Sequence, residues 1–143
     1  MGNGAQISSN LVIREILWKA FPEERHRLSD LEIAEQEFAR SSGGPNEWGE
    51  VGMYTLVSEI LVGRSFEKLF SAPELDEDLA WRCSRAIEEM LGSGREDVVE
   101  MVSLRVTDYL LGYVDPWLKF KQFAGPLLKV EVGERKVFYT GPF

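Results

Sequence analysis

Apolar positions recur along most of this chain with helical spacing. Ser8-Ser9-Asn10 offers side-chain oxygens for an N-cap, and Leu11, Ile13, Ile16, Leu17 and Ala20 then share one face of a 3.6-residue period. Glu15 and Lys19 form an i,i+4 pair on the wet side, and Phe21-Pro22 ends the run because a residue before proline avoids helical angles. A second helix is expected to start at Ser29. There Ser29-Asp30-Leu31-Glu32 matches a capping box, with Leu31, Ile33, Ala34 and Phe38 as its apolar positions. Ser41-Ser42-Gly43-Gly44-Pro45 breaks the pattern and opens a loop that continues through Asn46-Glu47-Trp48-Gly49-Glu50. A third helix is expected over 51–62, with Met53, Leu56, Val57, Ile60 and Leu61 on one side, stopping at Gly63; a short helical piece follows over 66–70.

The best-patterned helix opens at Pro73, with acidic residues crowding its first turn, where the helix dipole favours them. Its stripe is Leu75, Leu79, Cys83, Ala86, Ile87, Met90 and Leu91, and Gly92-Ser93-Gly94 ends it. The next run, 96–111, is apolar nearly all round, as expected of a central helix covered on two sides. Within it, Arg105 and Asp108 are expected to pair, because buried charges need partners. Asp115-Pro116 opens a short aromatic helix closed by Gly125-Pro126, with Tyr109, Trp117, Phe120 and Phe123 assigned to the core. The tail changes character: LLKVEV and KVFYT alternate with period two around Gly133-Glu134-Arg135, which predicts a β-hairpin over 126–143. The fold class is thus mainly α: a single compact domain over 1–143, with five to seven helices in stacked antiparallel hairpins. Ile87, Met90, Val102, Val106 and Leu110 should lie in its core.

Composition narrows the function classes. The 143 residues include one His and one Cys, so a disulfide framework, a Cys-rich zinc site or a multi-histidine metal centre is not expected, and no cofactor is implied. A net charge of −8 argues against nucleic acid as a partner, since phosphates demand a basic face. No apolar run is long enough to span a membrane, and the opening MGNGAQISSN lacks the basic start and apolar stretch of a signal peptide. Met1-Gly2 would suit myristoylation, but Gln6 stands where that motif wants Ser or Thr. A cytoplasmic protein without a membrane partner is the expectation.

Catalytic constellations are sparse. His26, Ser29 and Asp30 are close in sequence, yet Ser29 reads as a helix cap and no nucleophile turn surrounds it. Cys83 falls in the apolar stripe, where a buried thiol is inert. Glu88-Glu89 and Asp76-Glu77-Asp78 are adjacent acids that point about 100° apart on a helix and so read as a solvated face. The Asp76–Asp78 run lacks calcium-loop spacing, and the glycines of 43–49 lack a phosphate-loop signature. No catalytic or metal-ligating residues are assigned.

Trp81 is the informative position. With Leu75 at zero and about 100° per residue, the stripe centres near ~70° while Trp81 falls at roughly 240°. It therefore points away from its helix's apolar face, among Glu74, Glu77, Asp78, Arg85 and Glu88. An aromatic ringed by charges has the composition of a protein-binding anchor within a polar rim. The competing expectation is that Trp81 packs on a loop, the tail or a second layer of helices. Trp48, between Glu47 and Glu50, repeats the pattern.

The span from Trp48 to Gly112, with VGMYTLVSEILVG followed by LAWRCSRAIEEMLGSGREDVVEMVSLRVTDYLLG and its glycine stop after IEEML, resembles a group of small, acidic, mainly helical bacterial proteins. These include the immunity proteins encoded beside secreted polymorphic toxins of the contact-dependent, Rhs and type VI kinds. The resemblance implies a cytosolic antidote that binds and blocks a toxin domain and uses no catalytic residues. An acidic chain would be steered toward a basic toxin cleft. Two other expectations stand beside it: a helical adaptor that holds a cellular peptide or protein in a groove between helices, and a carboxylate-dependent hydrolase.

Overall fold

A computed structural model describes residues 7–42, 50–113 and 115–143. The described residues form seven helices and no strand. They are α1 (Ser9–Ala20), α2 (Arg25–Ser42), α3 (53–71), α4 (Glu77–Leu91), α5 (96–112), α6 (Asp115–Phe120) and α7 (Pro126–Arg135). Short 3₁₀ turns at Pro22–Glu24, Lys121–Phe123 and Lys136–Phe138 adjoin α2, α6 and α7. The mainly helical class expected from the periodicity is the class observed.

Local signals account for most boundaries. The Ser8 hydroxyl accepts from the Leu11 N–H at the start of α1, and Phe21 leaves helical angles ahead of Pro22. At α4 the helix begins at Glu77, later than Pro73, because the Asp76 carboxylate accepts from the Leu79 N–H and caps it there. α2, by contrast, starts earlier than its capping box. Residues 22–24 turn straight into Arg25, and the turn is fixed by buried Glu24, which pairs with Arg64 and Lys68 of α3. Ser29 therefore sits inside α2. The expected apolar positions of this helix also shift: Ile33 (52% exposed) and Phe38 (64%) face outward, while Leu28 and Ala39 are buried.

Gly63 does not stop α3. The helix runs through it as a wide π-helical stretch, Val57–Phe66, flanked by α-helical turns. A Cβ on Gly63 would lie 2.8 Å from the Ser58 carbonyl oxygen, so this glycine permits a close backbone approach. α5 carries a second π turn, Ser103–Thr107, and touches α3, α4, α6 and α7. Its Arg105 and Asp108 do not pair. Arg105 lies over the Tyr54 ring, and Asp108 accepts from Arg135 and Tyr139, tying the end of α7 to α5.

The tail is helical where a hairpin was expected. Gly125-Pro126 supplies a favourable first turn, and the Glu88 carboxylate of α4 accepts from the N–H groups of both Leu127 (3.0 Å) and Leu128 (2.8 Å). Leu128 and Val132, four apart, are buried, and the intervening Val130 is exposed. A long-range cap and a four-residue burial period outweigh the period-two alternation.

α4 sits at the centre. α1 lies antiparallel to it, as the contacts Ser9–Arg95 and Ala20–Arg82 at opposite ends require, and α3, α5 and α7 also pack on it. One hydrophobic cluster draws on all seven helices, from Ile13 and Leu28 through Ile60 to Phe120 and Leu128. Ile87, Met90, Val102, Val106 and Leu110 are all fully buried within it, as the stripes predict.

Candidate functional site

Trp81 emerges on the first turns of α4, held from below. The Ser84 hydroxyl, one turn further on, donates to the Phe123 carbonyl and fixes the end of the 3₁₀ turn after α6. The Phe123 ring then meets the Trp81 ring edge-on, with centroids 5.0 Å apart and planes at 86°. The indole is thereby packed against Phe123, and Trp81 remains 46% exposed. The two expectations for this residue each hold in part: it touches a neighbouring element and still offers a face to solvent. A ring already packed on a neighbour loses less entropy on binding than a free one, which favours its use as an anchor.

The acids around it divide by role. Glu77 lies one turn before Trp81 on α4, whereas Glu74 precedes the helix, so helical spacing does not set it beside Trp81; both are exposed, and no ion pair or hydrogen bond engages either among the described residues. Asp78 accepts from Arg82 Nε at 2.9 Å, and Arg82 Nη1 reaches Glu23 (2.8 Å) and the Ala20 carbonyl (3.1 Å). Arg82 thus knits α4 to the end of α1 while leaving Asp78 open to solvent. Glu88 is on the same side of α4, but its carboxylate is committed to the α7 amides. Glu50 is elsewhere: it accepts from Ser8 and Asn10 at the start of α1, both at 2.8 Å. Since α1 and α4 run antiparallel, that places Glu50 at the far end of the pair from Trp81. Trp48 and Glu47 lie outside the described residues.

The groups considered for catalysis are not assembled into a set. His26 and Asp30 approach to 3.5 Å on the outside of α2, and no hydrogen bond joins Ser29 to them among the described residues. Burial in the core pushes the Cys83 thiol pKa far up. Of the adjacent acids, Asp76 caps α4, Glu88 caps α7 and Glu89 pairs with Lys19 at 3.1 Å. Among the described residues no three His, Cys, Asp or Glu side chains are grouped to hold a metal ion, and no helix is long and apolar enough to cross a membrane. Sequence reasoning missed Arg82 as the organiser of this face. Its position four residues after Asp78 was the available signal, whereas its contacts to α1 depend on tertiary packing.

Comparison of the chain with protein-family models, curated proteins and solved structures gave no match.

Proposed function

We propose that this chain is a binding protein that engages a basic partner domain through the face around Trp81. We take that partner to be a toxin that binding neutralises, as in the immunity proteins the sequence resembles. The observation that carries the proposal is the half-open Trp81 ring, packed on Phe123, with the exposed acid Glu77 one turn before it on α4. Such a face joins an apolar anchor to exposed acids, with the exposed Arg85 one turn after Trp81 on the same side. The anchor contributes to affinity and the charge to the speed of encounter. The working surface is Trp81 with Glu74, Glu77 and Asp78, while Glu88 supports it from within the fold. This use belongs in the cytosol, where the single thiol, Cys83, stays reduced and buried.

The test begins with the product of the gene encoded next to this one. Co-expression should yield a complex and relieve that product's toxicity. Trp81→Ala should then weaken the complex by ~2 kcal/mol, about 30-fold in Kd, and reduce protection. A neighbouring product that is harmless, or that does not bind the purified chain, would count against the toxin reading.

A further inference from the structure

The charge of this molecule is unevenly placed. Residues 115–143 hold five basic and three acidic side chains, whereas the first 114 hold 11 basic and 21 acidic ones. At the basic end a groove of about 700 Å³ runs between α6 and α7. Its apolar part is formed by Trp117, Leu118, Val132 and Phe143, and Lys121, Lys129 and Lys136 line it. None of the three acids of this stretch lines the groove: Glu131 is buried toward Ser103, and Asp115 and Glu134 lie outside it. Arg135 is held by Asp108, but no Asp or Glu side chain pairs with the three lysines among the described residues. Lys121 donates one long hydrogen bond, 3.4 Å, to a main-chain carboxyl oxygen of Phe143, which lines the same groove.

We infer that the α6–α7 groove is a second binding site, for an acidic peptide segment that carries an apolar side chain. The volume falls within the range of about 300–1,000 Å³ typical of ligand sites. Lys129 on α7 and Lys136 at the start of the 3₁₀ turn that continues it are roughly 10 Å apart along the helix axis, with Gly133 between them leaving the wall open. An extended chain advances about 3.3 Å per residue with alternate side chains on opposite faces, so carboxylates four residues apart share one face, about 13 Å apart, and the flexible lysine side chains reach both. An apolar residue between those carboxylates lies over Leu118 and Val132. The concavity favours a discrete chain over a lipid surface, which needs an outward apolar face to insert. The site shares no residue with the Trp81 face, so each stands or falls alone.

Selection of a random peptide display library on the full chain tests this. Peptides with paired Asp or Glu flanking an apolar residue should be enriched. A fluorescent copy of the leading peptide should lose at least about tenfold in affinity to the K121E/K129E/K136E variant and bind Trp81→Ala unchanged. Its affinity should also fall as salt rises. The milder K129Q/K136Q variant guards against misfolding of the charge-reversed chain, and melts of both verify the fold. Peptides without acidic bias, or equal binding to the folded lysine variants, would overturn the inference. So would lysine-dependent binding to phosphatidylcholine–phosphatidylserine vesicles that exceeds binding to any selected peptide.

Discussion

Burial separates the residues that hold this molecule together from those free to act. Ile87 is fully enclosed in the central helix, so Ile87→Ala should cost ~2–5 kcal/mol in a denaturant melt. Unchanged stability would remove Ile87 from the core. Cys83 shows what burial does to chemistry: its thiol pKa is pushed far above the ordinary 9.0. A folded-state pKa raised in this way contributes stability that is fully present below the unfolded value and is lost as pH rises above it. Tyr109 and Tyr139 are also shifted upward, by burial first, and act in the same direction. Melting temperature should therefore fall above about pH 9, and Cys83→Ala should flatten part of that fall. Superimposable profiles for the two proteins would contradict it. At this scale the sequence was readable where a stripe was regular, as with the five predicted core residues. The Arg105–Asp108 pairing failed because side chains from other segments, Tyr54 of α3, Arg135 of α7 and Tyr139 beyond it, offered better partners.

Element boundaries were legible where the stop or cap is local and hidden where it is not. Ser8 and Pro22 are adjacent signals. The α7 helix depends on Glu88, 39 positions before Leu127, and no window of the tail contains that information. Glu88→Ala should remove the two carboxylate bonds, cost about 1–2 kcal/mol and speed amide exchange at Leu127 and Leu128 ahead of the rest of the chain. Uniform exchange in that variant would show that α7 stands without its cap. Gly63 gives a second element-scale expectation. Replacing a mid-helix glycine by alanine ordinarily stabilises by about 0.5–1 kcal/mol. Here the added methyl meets the Ser58 carbonyl, so Gly63→Ala should destabilise instead, by ~1–3 kcal/mol. A stabilised variant would place the Ser58 carbonyl further away and make the π-helical stretch unnecessary. The π geometry itself left no trace in the hydrophobic spacing of 51–62, which fits either helix type.

Across the whole molecule, the antiparallel α1–α4 pair separates features that the sequence listed side by side. Glu50 goes to one end, Trp81 to the other, and the basic α6–α7 groove forms a third region. The helix wheel placed Trp81 correctly relative to its own helix, but not the Phe123 ring that clamps it, since that contact joins residues 42 positions apart. The central claim is that this clamped, half-open indole is an anchor for a basic protein. The most direct measurement pairs two titrations of Trp81→Ala, one against denaturant and one against the protein encoded by the adjacent gene. The account predicts a modest loss of stability, about 1 kcal/mol from the lost ring contact, with binding weakened by ~2 kcal/mol or more. Loss of ~3–5 kcal/mol of stability with unchanged binding would assign Trp81 to the core and contradict the claim.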